Sequence, residues 1–300
     1  MADRRALPQT WTRDQLTLIP DRSIDAFISW FQEKGNTSHR NHYATAVESV
    51  ERLLSISNDL RNLSKDTLLR GEKSIREAAR YVAGPPLSSD DLKILARMKR
   101  LWEPDRLQDL VDVIVSARDP LRFPWLFETP PRAPLAEERR LAVAWTAGLL
   151  AAQKASTERR GESSKRQEAA VDAVLSSIGF KKESARAIRS IRDLETGTYC
   201  RQSMVSSTRA DLSVGLWDGR LLLLECKVSN SEVNSYKRLN AEVGRKETVW
   251  RNEFGNQAVT GAVLAGAFSL ENLASAQTNG IYLFWEADLG SLVSFVGSTK

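Results

Sequence analysis

The chain of 300 residues is long enough for one large or two modest domains, and its 42% of hydrophobic residues is ordinary for a globular protein. Two cysteines and two histidines are too few for a disulfide framework or a four-cysteine zinc site. This scarcity argues against serine-histidine hydrolases, zinc deaminases and histidine-metal nucleases. The formal net charge of +5 permits nucleic-acid binding.

Other classes of protein are excluded by missing segments. The N-terminus lacks the apolar stretch of a signal peptide, and no run approaches the roughly 18 consecutive apolar residues of a membrane-spanning helix. We therefore expect a cytoplasmic protein with no membrane partner. Neither G-x-x-x-x-G-K-[ST] nor G-x-G-x-x-G occurs, so nucleotide hydrolysis and dinucleotide redox chemistry lack their usual phosphate-binding loops.

The first half of the chain has the pattern of helices separated by turns. The first predicted helix starts after Asp21 and ends at Gly35, and five more helical patterns follow between prolines. The polar stretch 156–164 is the predicted boundary. Residues 1–155 are thus expected to form a helical domain, and residues 156–300 a second domain.

Helix and strand patterns alternate after that boundary. A helix is predicted with a capping box from Ser164 to Gln167 and an end at Gly179. Another is predicted near 231–245. Strands are predicted at about 210–216, 220–228, 261–269, 280–287 and 291–297. The pattern indicates an α/β fold with a mixed sheet flanked by helices.

Two charged residues end the apolar run Leu221–Leu224. Glu225 and Lys227 are two residues apart, so they share one face of the strand. Asp211 begins the neighbouring predicted strand. Carboxylates at the end of a buried strand are costly to ionise unless a cation or another partner holds them. Two carboxylates with a lysine suit Mg²⁺-dependent phosphodiester hydrolysis.

The turn between these strands decides whether the charges meet. A two-residue loop, Asp218-Gly219, would pair Asp211 with Cys226 and place Asp211 on the face opposite Glu225. We therefore predict a three-residue loop, Trp217-Asp218-Gly219, with Gly219 in the left-handed region.

These residues resemble the PD-(D/E)xK nuclease superfamily, which has a restriction-endonuclease-like core. Asp211 matches the first Asp of the motif, with Ala210 in place of the proline, and Glu225 and Lys227 match its second half. The superfamily often adds a carboxylate from the preceding helix, and Glu168 is the candidate. Over roughly its last 140 residues, the chain resembles type II restriction endonucleases of the XamI kind.

The resemblance implies a magnesium-dependent, site-specific endonuclease acting on double-stranded DNA, and a cognate DNA methyltransferase in the same system. A homodimer is expected, because one core carries one active site and a double-strand cut needs two. Asp211, Glu225 and Glu168 would bind Mg²⁺, and these three and Lys227 would be catalytic. Two alternatives stay open: a repair, recombination or mobile-element nuclease, and a non-catalytic basic DNA-binding protein.

Candidate DNA contacts come from two segments. In the first, Lys182, Arg186 and Arg189 are predicted on one helical face as phosphate contacts, although such clusters are also common on solvated surfaces. The second directly follows the predicted catalytic strand. Its polar side chains are competent to bond base edges or phosphates, and the candidates are Asn230, Asn234, Lys237 and Arg238.

Overall fold

A computed structural model describes residues 5–229 and 231–300, leaving out the side chains of residues 19–22, 27, 30, 31 and 34–36. The chain groups into two compact units, Glu33–Arg159 and Met1–Gln32 with Arg160–Lys300. The second boundary lies close to the predicted division after residue 155. The difference is at the N-terminus, where Met1–Gln32 groups with the C-terminal part of the chain. Leu16 packs in the same apolar cluster as Leu264 and Trp285 near the C-terminus, so the first helix begins within the strand-rich unit.

The predicted helical character of the first half is confirmed. The helices are α1 Arg13–Ile56, α2 Lys65–Arg70, α3 Lys73–Ala79, α4 Ser89–Leu95, α5 Leu107–Ser116 and α6 Ala136–Ser177. Short 3₁₀ turns lie at Arg80–Val82, Pro104–Arg106 and Pro124–Leu126. The core of the Glu33–Arg159 unit is apolar and includes Leu53, Ile114, Trp125 and Leu150.

Two predicted helix boundaries are wrong. The first helix does not end at Gly35, because α1 continues to Ile56. The polar stretch 156–164 lies inside α6, so Ser164 and Gln167 are interior helical residues and not a capping box. The stretch contains Glu158, Arg159, Arg160 and Glu162, which are good helix formers, and it holds no proline to stop the helix, while Gly161 is tolerated in the interior.

The strands form a mixed sheet, as predicted. They are β1 Lys181–Glu183, β2 Ala187–Ile188, β3 Thr198–Val205, β4 Thr208–Gly215, β5 Leu221–Ser229, β6 Ala258–Gly266 and β7 Tyr282–Trp285. Their order is β1-β3-β4-β5-β6-β7, and β2 also pairs with β3. The hairpins β3-β4 and β4-β5 are antiparallel, whereas β5, β6 and β7 run parallel.

Helices cover both faces of the sheet. They are α7 Glu232–Ser235, a π-helical segment Tyr236–Val243, α8 Gly244–Phe254, α9 Leu270–Thr278 and α10 Gly290–Gly297. Further 3₁₀ turns lie at Ile191–Asp193 and Gly255–Gln257. The predicted strand at 291–297 is wrong, because this segment is α10. A short apolar run fits a strand or a buried helix equally well by periodicity.

Strand β5 lies in the middle of this arrangement. Leu222 and Leu224 pack in one cluster with residues of α6 and α10, whereas Leu221 and Leu223 pack in another with Trp250 and Phe254 of α8. Both faces of β5 are therefore buried, which explains its unbroken leucine run. Among the helices of the described residues, none is long and apolar enough to cross a membrane.

Candidate active site

The carboxyl end of β5 brings two charged residues onto one face. Side chains alternate along a strand, so Glu225 and Lys227 continue the side of Leu221 and Leu223, which faces α8. Cys226, between them, packs on the opposite side with the α6 and α10 cluster. The local pattern of the strand therefore directs both charges toward α8.

The β4-β5 hairpin confirms the predicted three-residue loop. Leu216 N–H donates to the Arg220 carbonyl at 2.8 Å, which leaves Trp217, Asp218 and Gly219 as the loop. Gly219 has φ of +84°, in the left-handed region that favours glycine. The pairs run from Gly215–Leu221 to Leu212–Leu224, so Asp211 and Glu225 are the residues that directly follow the last pair.

Asp211, Glu225 and Lys227 form a tight charged cluster. Lys227 Nζ lies 2.8 Å from Glu225 Oε2 and 3.9 Å from Asp211 Oδ2. Asp211 Oδ2 also accepts a hydrogen bond of 2.8 Å from the Cys226 backbone N–H. Burial by itself would lower the pKa of Lys227, but the carboxylates of Glu225 and Asp211 raise that pKa above its usual value. The lysine is therefore an ammonium at neutral pH.

A second lysine, Lys246 of α8, reaches the same cluster. Its Nζ lies 2.7 Å from Glu225 Oε1 and donates a hydrogen bond of 2.6 Å to the carbonyl of Arg209. The Glu225 side chain has 0% exposure, and each of its oxygens lies within 2.8 Å of a lysine ammonium, although Oε1 makes no hydrogen bond. Pairing of this kind is what a buried charge requires.

Glu168 lies beside this cluster on α6. It forms an ion pair with Arg201 of β3, and its Oε1 accepts a hydrogen bond of 3.3 Å from Gln202 Nε2. The same Gln202 nitrogen lies 3.4 Å from Asp211 Oδ1. Gln202 has φ of +53°, uncommon for a residue with a side chain, and its amide links the two carboxylates.

The donor set fits one magnesium ion held by two carboxylates. Within the described residues, no three His, Cys, Asp or Glu side chains form a ready-made metal cluster. Mg²⁺ is usually bound in proteins by one or two carboxylates together with water and substrate phosphate oxygens. Asp211 and Glu225 both contact the ammonium of Lys227, so their oxygens can reach a common cation.

The basic segment predicted as a helix is extended. Lys182 lies in β1 and Arg186 precedes β2, so the shared helical face of Lys182, Arg186 and Arg189 is wrong. Lys182 Nζ pairs with Asp172 at 2.7 Å, and Arg186 pairs with Glu183. The sequence spacing suggested a helix, but pairing with β3 imposed the strand conformation.

The four predicted DNA contacts that follow β5 differ in their surroundings. Asn230 lies outside the described residues. Asn234 and Lys237 are exposed on α7 and the π-helical segment. Arg238 donates to the Val228 carbonyl at 2.7 Å, which holds the end of β5.

Three site residues were not predicted from the sequence, namely Arg201, Gln202 and Lys246. Arg201 and Gln202 lie in β3, a strand whose polar middle hid its pattern. Lys246 lies in a basic stretch whose composition is typical of a solvated surface. Only the tertiary fold brings its ammonium to Glu225.

A mixed sheet flanked by helices, with acidic and lysine side chains meeting across two adjacent strands, belongs to the restriction-endonuclease-like class of folds. Residues 58–285 match the family described as XamI restriction endonuclease. The type II restriction enzyme XamI from Xanthomonas campestris pv. amaranthicola is 36% identical over 228 residues, covering 73% of this chain and 82% of that protein. The chain therefore belongs to the XamI restriction endonuclease family, whose members are type II site-specific deoxyribonucleases.

Two further proteins show weaker similarity. The type II restriction enzyme SalI from Streptomyces albus G is 21% identical over 315 residues, with 95% of this chain and 96% of that protein covered. The crystal structure of protein VC1899 from Vibrio cholerae matches with a TM-score of 0.29 and 12% identity, over 90% of this chain and 57% of that chain. A score this low supports no inference.

Proposed function

We propose that this restriction endonuclease hydrolyses phosphodiester bonds of double-stranded DNA at a specific sequence, using Mg²⁺ held by Asp211 and Glu225. The observation that carries the proposal is the convergence of two carboxylates on one ammonium, with Lys227 Nζ 2.8 Å from Glu225 Oε2 and 3.9 Å from Asp211 Oδ2. The three groups come from adjacent strands, and their charged ends meet at the carboxyl end of β5.

Each residue has a defined task in this chemistry. When bound, Mg²⁺ would polarise a phosphate oxygen and make a bound water more acidic. Lys227 is proposed as a hydrogen-bond donor and a positive charge, because its ammonium lies 2.8 Å from Glu225 Oε2. Its ammonium orients the attacking water and stabilises the negative charge that develops on the phosphate. Glu168, linked to Asp211 through Gln202, is proposed as an auxiliary carboxylate.

The DNA contacts are proposed on the same unit. Exposed Asn234 and Lys237 follow the catalytic strand directly, where they would meet bases and phosphates next to the cut. Asn230 and Arg238 are proposed alongside them. Basic residues on the other side of β3 would contribute phosphate contacts that are independent of sequence, and these are Lys182, Arg186 and Arg189.

The assembly follows from the reaction. One chain carries one such charged cluster among its described residues, while a double-strand cut needs two cuts related by a two-fold axis, so we propose a homodimer on DNA. The helical unit Glu33–Arg159 would read bases or dimerise. A cytoplasmic setting and a cognate methyltransferase complete the proposal, because host DNA must be protected. Sedimentation of the complex should show two chains per duplex.

Incubating the purified protein with a long DNA and Mg²⁺ tests the activity. Discrete fragments, lost in EDTA and lost in Lys227→Ala, are expected. A smear or nicking at particular DNA structures would instead indicate a repair nuclease. Retarded but intact DNA would indicate a binding protein without catalysis.

A further inference from the structure

Glu225 is held by more positive charge than the sequence motif provides. Its buried carboxylate contacts Lys227 through Oε2 at 2.8 Å and Lys246 through Oε1 at 2.7 Å. Lys227 belongs to the same strand, whereas Lys246 comes from α8. The Lys246 side chain is only 18% exposed, so its ammonium lies inside this site and is not a surface charge.

The Lys246 ammonium is also fixed to the neighbouring strand. It donates a hydrogen bond of 2.6 Å to the carbonyl of Arg209, two residues before Asp211 in β4. The ammonium therefore bridges the two strands that carry the proposed metal ligands. Both of its contacts are to oxygen atoms, which are also the ligands that Mg²⁺ prefers.

A π-helical segment precedes the helix that carries Lys246. The buried residues Ser235, Leu239, Val243 and Glu247 recur every four residues. In a regular α-helix, four residues advance about 40° beyond one turn, so such a stripe would rotate away from the sheet. The π-helical segment Tyr236–Val243 has wider turns, which offset this rotation before α8 begins.

The charges of the cluster balance without a metal. Asp211 and Glu225 carry two negative charges, and Lys227 and Lys246 carry two positive charges. A divalent cation at Asp211 and Glu225 would bring the same two positive charges to the same oxygens. Lys227 has a task in the proposed chemistry, so Lys246 is the redundant cation once the metal is bound.

We propose that Lys246 is an internal counter-cation, which occupies Glu225 Oε1 in the metal-free enzyme and competes with the divalent cation for that oxygen. The inference rests on the proposed function, because it assumes that Glu225 is a metal ligand. It makes Lys246 a positioning residue that holds the Glu225 carboxylate in place before the metal arrives. An opposite role, in which Lys246 orients Glu225 to strengthen metal binding, predicts the opposite effect of its removal.

Calorimetric titration of the protein with Mg²⁺ separates these roles. Lys246→Gln keeps N–H donors for Glu225 and Arg209 but removes the charge, so it should bind Mg²⁺ at least about tenfold more tightly than the parent, because a repelling cation is gone. Lys246→Arg retains the charge and should bind Mg²⁺ like the parent. Unchanged or weaker binding by Lys246→Gln would overturn the inference.

A measurement on the unmodified protein covers the case in which Lys246→Gln does not fold. Amine acetylation followed by peptide mapping should label Lys246 faster after Mg²⁺ is added, while Lys93, in an exposed ion pair with Asp90, serves as an internal reference. Slower or unchanged labelling contradicts the inference. If the parent and Asp211→Ala give the same null titration, the metal site itself fails, and both proposals fall. If the parent binds Mg²⁺ and Asp211→Ala does not, but Lys246→Gln binds it less tightly than the parent, only the inference falls.

Discussion

Replacing Lys227 by alanine separates catalysis from structural support most sharply. The side chain is 14% exposed and its ammonium touches Glu225, which has no exposed surface. If the lysine served only to neutralise a buried carboxylate, its loss would leave an uncompensated charge and cost about 3–5 kcal/mol of stability. Glu225 keeps a second partner in the variant, however, because Lys246 remains at Oε1.

The expected loss of stability is therefore smaller than for an orphaned charge. One charge-assisted hydrogen bond is removed, which is worth about 1.5–3 kcal/mol in the free energy of unfolding. Cleavage should fall by at least about 100-fold, because the missing charge acts on the phosphate in the transition state. DNA binding in EDTA should stay within about threefold of the parent, since transition-state contacts contribute little to ground-state affinity.

Three measurements on one preparation test this prediction: chemical denaturation, gel retardation in EDTA and cleavage with Mg²⁺. Lys93→Ala is a matched control, because it removes an ammonium that lies 2.8 Å from a carboxylate in the other unit. The control should cleave normally. Cleavage by Lys227→Ala at the parental rate, or a stability loss large enough to explain the inactivity, would refute the catalytic role.

Three further variants test separate parts of the structure. Asp211→Ala should abolish cleavage and leave EDTA binding equal or tighter by up to about 1 kcal/mol, because a negative charge near the phosphate is removed; weaker gel retardation would contradict this. Replacing Lys182, Arg186 and Arg189 by glutamine should weaken binding to all sequences alike and flatten its salt dependence, whereas an unchanged slope would exclude them as phosphate contacts. Gly219→Ala should lower the free energy of unfolding by about 1 kcal/mol, because φ is +84°, and equal stability in denaturation would show that the loop relaxes.

The parts of the fold that the sequence predicted have strong local signals. Strands β4 and β5 combine apolar runs with the turn residues Asp218 and Gly219, and strand parity then fixed the loop length. Each strand buries at least one face, so the register is strongly specified. The three motif residues follow directly from that register.

The parts that the sequence missed depend on tertiary context. The polar middle of α6 has Gly161 and several serines but no proline, so the helix continues through a composition that suggested a linker. Strand β3 carries Arg201 and Gln202, whose polar side chains serve the site and obscure the strand pattern. Lys246 lies on a separate helix, and no local pattern shows that it touches Glu225.

The β4-β5 hairpin also limits how related chains can change in length. Asp211 lies five residues before Leu216, and Glu225 lies five residues after Arg220, on either side of the closing Leu216–Arg220 contact. A loop of a different length leaves the two carboxylates in the same relative position if this contact is kept. We call the segments 211–216 and 220–225 the two arms of the hairpin. One residue inserted into a single arm turns its carboxylate to the far face of the sheet, unless a bulge accommodates the extra residue. Homologous chains should therefore vary freely in the loop and keep arms of equal length, so the total Asp-to-Glu spacing is a poorer guide to an intact site than the symmetry of the two arms.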